Sequence, residues 1–306
     1  MSEGFRVLMI SAMYENGGNT TQRLLDGHPE LIGYPFESQL GTRLVSDHLS
    51  GLYPAKYRWP VFPLDGNAGQ DYELIVDEEC KVRIKTPHAS KFRDVAMTLK
   101  DADRKRVFLA EMEGRPRRRA TLVAAFFKGT AEAWKDRVRS GNARTYVGYS
   151  PIVGVDAERI LAELPLAHVV NVVRNPWSAY ADTKKRPVPL SLAHYMTGWC
   201  VHQLAALASA ERFPGRAHVL RYEDIVADPV GVLSKVLAAA GIGTSPTLAR
   251  PSWNGRVLDE VYPWGTIRVP TPAANMATAS ELSRHEVEEI HQRAAPLLAP
   301  FRYERP

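Results

Sequence analysis

Short apolar runs alternate along the chain with stretches that have the spacing of helices. The apolar runs span Phe5 to Ser11, Leu31 to Phe36, Tyr146 to Ser150, Val169 to Val173 and His218 to Tyr222. Continuous apolar runs of this length are typical of strands buried on both faces of a parallel sheet. Helical spacing predicts helices at Asp156 to Glu163, Leu190 to Phe213, Asp228 to Ala240 and Ser280 to Leu298. The pattern therefore predicts an α/β fold with a parallel sheet flanked by helices.

Two stretches interrupt this alternation. Residues 50–72 and 244–276 are rich in Pro, Gly and aromatic residues. We interpret the first as an irregular surface insertion and the second as an ordered loop or lid. They contain Trp59, Trp253 and Trp264, whose side chains either line a binding pocket or pack beneath the loops. Directly after the first stretch, the residues from Tyr72 to Ile84 are predicted to form a strand or a hairpin.

Composition adds limits to this picture. The chain has 306 residues, of which 45% are hydrophobic and 24% charged, which is typical of a globular protein. With no internal repeat, a single domain over residues 1–306 is predicted. The formal net charge of +5 suits an anionic ligand but is too weak to indicate a nucleic-acid partner. The two cysteines exclude a disulfide scaffold and favour a reducing compartment. No apolar stretch is long enough for a membrane span, so a cytoplasmic protein is predicted.

A glycine-bearing turn follows the first predicted strand. The sequence Asn-Gly-Gly-Asn-Thr, Asn16 to Thr20, leads into a predicted helix. Backbone N–H groups of such a turn can cradle a phosphate at the helix N-terminus, and the hydroxyls of Thr20 and Thr21 can add donors. The Walker A pattern of nucleotide-binding loops is absent. The alternative is an Asn-Gly turn that only begins a helix.

A second candidate anion site follows a later strand. In VVRNPWSAY, Arg174 lies at the carboxyl end of the predicted strand Val169 to Val173, and Pro176 suits the first turn of a helix. A guanidinium can bind a phosphate with two N–H donors. Hydroxyls that could assist lie at Ser178 and Thr183. The alternative is an arginine that only caps or pairs at the edge of the sheet.

Three segments together resemble the sulfotransferase superfamily, which uses 3′-phosphoadenosine 5′-phosphosulfate (PAPS). They are the glycine turn with LLDGHPEL after it, the run VVRNPWSAY, and RYEDIVADP from Arg221 to Pro229. The resemblance implies a three-layer, P-loop NTPase-like fold, PAPS as donor, 3′-phosphoadenosine 5′-phosphate (PAP) as product, and no metal. It implies that the 5′ side of the donor is held by Gly17, Gly18, Asn19, Thr20 and Thr21. On the 3′ side it implies Arg174 with Ser178 or Thr183, and Tyr222 near the adenine.

The chain departs from the family pattern at two positions. The Lys or Arg that usually precedes Ser-Gly-Thr in the 5′ loop is absent, so a cation must come from elsewhere, with Lys85, Arg23 and Arg43 as candidates. The eighth residue after Arg174 is Asp182, where the family has a Ser. Because a carboxylate there would repel a phosphate, we expect Ser178 or Thr183 to supply the hydroxyl.

Two residues are candidates for the catalytic base. Glu37 follows the second predicted strand, at a place that resembles the base glutamate of Golgi-type sulfotransferases. The alternative is an acid favoured by a helix N-terminus. His88 lies in RIKTPHAS, which resembles the Lys-Thr/Ser-Pro stretch of carbohydrate sulfotransferases, and its imidazole suits proton transfer near neutrality. In that stretch Lys85 would stabilise the transferring sulfuryl group. A solvated lysine and a loop histidine are the alternatives.

The function expected from the sequence is transfer of a sulfuryl group from PAPS to a hydroxyl of a small molecule or glycan. One alternative is a P-loop-like kinase, although the Lys-Ser/Thr pair of such enzymes is missing. Another is a non-catalytic nucleotide-binding module, which the missing loop cation favours. The acceptor is not identified by the sequence, and the oligomeric state is open, with a homodimer as one alternative.

Overall fold

A parallel sheet forms the centre of the protein in the computed structural model, which describes residues 4–90, 92–258 and 271–306. Its strands are β1 (Arg6–Ser11), β2 (Leu31–Gly33), β3 (Thr145–Tyr149), β4 (Ala167–Val173) and β5 (Ala217–Arg221). They lie in the order β2-β3-β1-β4-β5, and every neighbouring pair is parallel. The predicted parallel α/β fold is confirmed.

Helices cover both faces of this sheet. They are α1 (Gly18–Leu25), α2 (Ala68–Leu74), α3 (Glu78–Lys85), α4 (Asp101–Met112), α5 (Arg119–Ala133), α6 (Ala157–Glu163), α7 (Pro176–Thr183), α8 (Leu192–Arg212), α9 (Tyr222–Ala227), α10 (Pro229–Ala239), α11 (Pro272–Ala277) and α12 (Arg284–Leu298). A short antiparallel pair, β6 (Ser252–Trp253) and β7 (Arg256–Val257), lies apart from the sheet. Within the described residues, no helix is both long and apolar enough to span a membrane.

Side chains of β1 alternate between two cores. Val7 and Met9 pack with residues of α4, α5 and α6 on one face of the sheet, whereas Leu8 and Ile10 pack with α1 and α10 on the other. This is the two-residue period of a strand that is buried on both faces. The three layers that result place the carboxyl ends of the strands, and the loops after them, at one edge of the sheet.

The stretch from Tyr72 to Ile84 forms helices, so the predicted strand or hairpin is wrong. Residues 72–74 belong to α2 and residues 78–84 to α3, and between the helices Ile75 forms only an isolated antiparallel bridge with Thr42, next to the buried Asp77. Asn67 and Gln70 form a capping box at the start of α2. A short apolar run does not distinguish a strand from the buried side of a short helix, which explains the error.

Part of residues 50–72 packs into the core, whereas Leu64 in the same stretch is fully exposed. Tyr53, Tyr57 and Trp59 are all buried. Arg58 donates through Nε to Asp156 Oδ2 at 2.7 Å and through Nη2 to Asp47 Oδ2 at 2.9 Å. Composition suggested an irregular surface loop, but these buried contacts connect the stretch to the helical turn before α6.

The tryptophans of the two irregular stretches pack against the protein where the structure describes them. Trp59 is buried and donates through Nε1 to Glu163 at 3.0 Å. Trp253 stacks on Phe36 with ring centres 6.3 Å apart, and donates through Nε1 to the carbonyl of Pro35. For these two residues the packing alternative holds. Trp264, and with it the middle of the predicted lid, lies outside the described residues.

Removing the Arg58 side chain should destabilise the fold strongly. Arg58 and Asp156 are both almost fully buried. We expect Arg58→Ala to lower the free energy of unfolding by about 3–5 kcal/mol, because Asp156 is left buried without its partner. Urea unfolding followed by circular dichroism measures the loss.

Lys56→Ala is the matched control for this prediction. Lys56 lies in the same segment and pairs with Glu78 at the surface. An exposed pair contributes only about 0–1 kcal/mol. Equal losses for the two variants would show that the buried pair does not stabilise this segment.

Candidate functional site

The loop between β1 and α1 leaves backbone N–H groups free at a helix N-terminus. Gly17 begins α1 in the left-handed conformation, with φ of 91°, and no side chain caps the helix. The first intrahelical bond of this turn runs from Thr21 N–H to the Gly17 carbonyl. The N–H groups of the preceding residues have no intrahelical acceptor, which makes this end of α1 an anion-binding position.

Aromatic rings hold both glycines of the loop closely. A Cβ atom on Gly17 would lie 2.1 Å from Cδ2 of Tyr222, and one on Gly18 would lie 2.2 Å from Cε2 of Tyr149. Real Cβ atoms do not approach other atoms so closely, so the loop has room only for glycine at both positions. The rings belong to the segments after β5 and at the end of β3, and they fix the loop between them.

Asn16 connects the loop to the end of β4. Its buried side chain accepts the backbone N–H of Arg174 at Oδ1, at 2.9 Å. Through Nδ2 it donates to the Tyr14 carbonyl at 2.9 Å and to the Tyr195 hydroxyl at 3.1 Å. The two candidate anion sites of the sequence are therefore held together by one amide.

Arg174 lies at the carboxyl end of β4 with its guanidinium bonded on several sides. Nη1 donates to the Glu15 carbonyl at 3.0 Å and to Asp182 Oδ2 at 2.7 Å, and Nη2 donates to Thr278 Oγ1 at 3.2 Å. Asp182 was expected to repel a phosphate. In the structure it is an ion-pair partner of Arg174, so a phosphate at this position would share the guanidinium with a carboxylate.

The hydroxyl candidates near Arg174 differ in orientation. Thr183 is fully buried, and its Oγ1 donates to the carbonyl of Ala179 at 2.8 Å, within its own helix. Ser178 is in the first turn of α7, where its N–H donates to the side chain of Asn175 at 2.8 Å. Of the two, only Ser178 lies in the turn that directly follows Arg174.

Glu223 joins the arginine segment to the segment that follows β5. Its Oε1 accepts the backbone N–H of Asn175 at 3.0 Å, and its Oε2 lies 2.9 Å from the Tyr303 hydroxyl. The preceding residue, Tyr222, begins α9, and its ring centre lies 5.6 Å from Cζ of Arg174. Burial raises the pKa of Tyr222, and a hydrogen bond with Thr20 opposes this. Tyr222 therefore contacts both the glycine loop and Arg174.

Glu37 lies beyond β2 among tyrosines of the same edge. Gln39 Nε2 donates to Oε2 of Glu37 at 3.2 Å. The backbone N–H of Glu37 donates to Glu79 Oε2, also at 3.2 Å. Burial raises the pKa of Tyr149 well above its usual value, and the Glu37 carboxylate adds to the increase. Glu37 is thus close to the tyrosine that packs on the glycine loop.

Lys85 and His88 lie outside this group of contacts. Lys85 pairs with Asp101 at 3.3 Å and with Glu73 at 3.7 Å. His88 is exposed on the helical turn Pro87–Ala89. No contact in the described part of the chain joins either residue to the loop after β1.

The other cations considered from the sequence also differ in placement. Arg23 is fully buried, and its Nη2 donates to the carbonyl of Pro35 at 3.0 Å. Burial lowers its pKa. Arg43 is exposed, with no contact to the loop among the described residues.

Sequence reasoning missed two charged groups at this edge. Glu79 lies beside Glu37, and Arg186 lies over the Tyr14 ring with Cζ 4.5 Å from its centre. Neither residue is in a segment with a recognisable motif. In residues 4–90, 92–258 and 271–306, no three His, Cys, Asp or Glu side chains are grouped as metal ligands.

Comparison with known proteins identifies the family of the chain. The model of the sulfotransferase family matches residues 70–246, which is more than half of the chain. The chain belongs to the sulfotransferase family. The resemblance expected from the three sequence segments is therefore confirmed. No curated protein matches the sequence of this sulfotransferase significantly.

Solved sulfotransferase domains share its fold. The sulfotransferase domain of the Synechococcus PCC 7002 olefin synthase superimposes with a TM-score of 0.59 and 18% identity, over 98% of this chain and 95% of that one. The sulfotransferase domain of the curacin biosynthetic pathway gives a TM-score of 0.54 and 16% identity, over 99% of both chains. At this level of identity the likeness concerns the fold alone.

Gly17→Ala should destabilise the sulfotransferase through two effects. A left-handed backbone costs an alanine about 1–2 kcal/mol. The contact with Tyr222 adds an overpacking cost of about 1–3 kcal/mol. We expect the free energy of unfolding, measured with urea, to fall by the sum.

Gly114→Ala separates the two effects. Gly114 also has a positive φ, of 68°, but a Cβ there meets nothing within 4 Å. It should therefore lose only the backbone part. If the free energy of unfolding fell equally in both variants, the tight contact between the loop and Tyr222 would not contribute to the loss.

Proposed function

We propose that this sulfotransferase moves a sulfuryl group from PAPS to a hydroxyl of a small-molecule or glycan acceptor. The observation that carries the proposal is the junction of two anion-binding features at one sheet edge. The uncapped N-terminus of α1 and the guanidinium of Arg174 are joined through Asn16, whose Oδ1 accepts the Arg174 N–H at 2.9 Å. A nucleotide with phosphates at both its 5′ and 3′ positions suits such a pair of sites.

The residues at this edge fit such a donor. Backbone N–H groups of Gly18, Asn19 and Thr20 would hold the 5′ end, because they lie at the N-terminus of α1. Only glycine fits in this loop beside Tyr222 and Tyr149. The Thr21 hydroxyl donates to the Gly17 carbonyl at 3.0 Å, so its contribution is to stiffen the loop. When bound, the donor supplies an activated sulfuryl group on its 5′-phosphate.

On the 3′ side, we propose Arg174, Ser178 and Tyr222 as the binding residues. The guanidinium would bind the 3′-phosphate with charge-assisted hydrogen bonds, and the ring of Tyr222 lies beside both the loop and Arg174. We leave Thr183 out, because its hydroxyl is bonded to Ala179 inside α7.

We propose Glu37 rather than His88 as the base that takes the proton of the acceptor hydroxyl. Glu37 lies at the edge of the sheet that carries the glycine loop. Its negative charge adds to the increase in the pKa of Tyr14 and of Tyr149. Glu79 beside it adds a second carboxylate at this part of the edge. The exposed position of His88 offers no comparable arrangement.

Calorimetry tests the donor. We expect the protein to bind PAP and to prefer it over ATP and ADP, which have no 3′-phosphate. Arg174→Ala should weaken PAP binding by about 10- to 100-fold, since a hydrogen bond to a charged group is lost. A preference for ATP would contradict the sulfotransferase donor and favour the kinase alternative. Unchanged PAP affinity in the variant would remove Arg174 from the site.

Turnover separates the two candidate bases. We expect Glu37→Gln to reduce the rate of PAP formation by about 100- to 10,000-fold, with PAP affinity unchanged, because the proton acceptor is removed. His88→Ala should keep the rate, and Glu113→Gln, at an exposed position after α4, is the matched carboxylate control. PAP release is measured over a panel of phenols, alcohols and sugars. Donor binding without any turnover would favour a non-catalytic module, and loss of rate in His88→Ala alone would make His88 the base.

A further inference from the structure

Arg186 lies just beyond α7, beside the loop that joins β1 to α1. Its backbone N–H donates to the carbonyl of Thr183 at 3.2 Å, which holds the turn in place before Pro187. The Cζ atom of its half-buried guanidinium lies 4.5 Å from the centre of the Tyr14 ring. At this distance the guanidinium makes a cation–π contact with Tyr14, which is a residue of that loop.

Among the described residues, no carboxylate neutralises the charge of Arg186. The two lysines before it are paired: Lys184 with Glu286 at 2.7 Å, and Lys185 with Glu281 at 2.9 Å. Arg186 forms no ion pair with any carboxylate in the part of the chain that the structure describes. It is therefore a cation in contact with the loop whose positive charge is available to a ligand.

Tyr14 provides a fixed surface for this guanidinium. The Tyr14 carbonyl accepts hydrogen bonds from Asn16 Nδ2 at 2.9 Å and from the Tyr195 hydroxyl at 3.1 Å. Its ring contacts Tyr57 edge-on, with centres 6.0 Å apart. A guanidinium held by a ring through cation–π attraction keeps its N–H donors for another partner, and their fork matches a phosphate or sulfate.

Arg186 and Glu37 act on the same tyrosines. Burial raises the pKa of Tyr14 to about 12, while the Arg186 charge lowers it and the Glu37 charge raises it further. The same two charges have the same opposite effects on Tyr57, whose pKa burial also raises. The charges of Arg186 and Glu37 therefore both act on Tyr14, which lies in the loop before α1, and on Tyr57.

We propose that Arg186 supplies the positive charge that the glycine loop itself does not carry, and that its guanidinium binds the 5′-phosphosulfate of the donor. The assignment rests on the proposed function. Lys85 pairs with Asp101 and Glu73, and Arg23 is buried against Pro35, so these cations are engaged elsewhere. Arg174 then binds the 3′-phosphate of the nucleotide, and Arg186 binds its 5′ end.

Three ligands distinguish the two ends of the nucleotide by calorimetry. PAP has both phosphates, adenosine 3′-monophosphate lacks the 5′ group, and adenosine 5′-monophosphate lacks the 3′ group. We expect Arg186→Ala to weaken PAP and adenosine 5′-monophosphate by about 10- to 100-fold and to leave adenosine 3′-monophosphate within twofold. Arg174→Ala should show the opposite selectivity. Arg186→Lys, which keeps the charge but loses the fork, should lose less than Arg186→Ala.

Lys184→Ala is the matched control, because Lys184 lies in the same turn but pairs with Glu286. It should leave all three affinities unchanged. If Arg186→Ala kept its PAP affinity, or weakened both monophosphates equally, the assignment of Arg186 to the 5′ end would be overturned. If the unmodified protein bound PAP no better than ATP, the proposed function would fail first, and the assignment with it.

Discussion

One buried amide, the side chain of Asn16, holds the candidate site together. Its oxygen accepts the backbone N–H of Arg174, and its nitrogen donates to Tyr14 and Tyr195. The loop after β1, the end of β4 and the start of α8 meet at this side chain. Because the amide is fully buried, losing one of its partners would leave a polar atom unsatisfied, which costs more than the hydrogen bond itself contributes. The position of the glycine loop relative to Arg174 therefore depends on Asn16.

Around this junction, charge is distributed unevenly. Arg174 is paired with Asp182, which in turn contacts Lys185 at 3.1 Å, so the charges around Arg174 are largely balanced. On the other side of the loop, Glu37 and Glu79 lie together, and Arg186 stands on Tyr14 without a carboxylate partner among the described residues. A charge without an opposite partner attracts a ligand more strongly than a paired charge does. This contrast between Arg174 and Arg186 is the electrostatic reason for the role proposed for Arg186.

Buried contacts outside the loop hold the residues of the candidate site in place. The buried pair of Arg58 and Asp156 connects residues 50–72 to the turn before α6, and the same stretch supplies Tyr57, whose ring contacts Tyr14. Tyr149 and Tyr222 hold the glycine loop from two sides. A site built on strand ends and fixed by buried contacts keeps its donors oriented before a ligand arrives, which reduces the entropic cost of binding.

The sequence by itself determined the parallel sheet, the glycine loop and the arginine at a strand end, because these follow from local periodicity and from residue types adjacent in the chain. It did not determine which side chains meet. Asn16 and Arg174, whose contact joins the loop to β4, are 158 residues apart in the chain. The charge of Asp182 was expected to repel a phosphate, and only the structure showed that it pairs with Arg174. Arg186 lies in no motif, and Lys85 lies in one but pairs elsewhere. Only the tertiary structure decided these points, since long-range packing determines where a flexible charged side chain finds its partner.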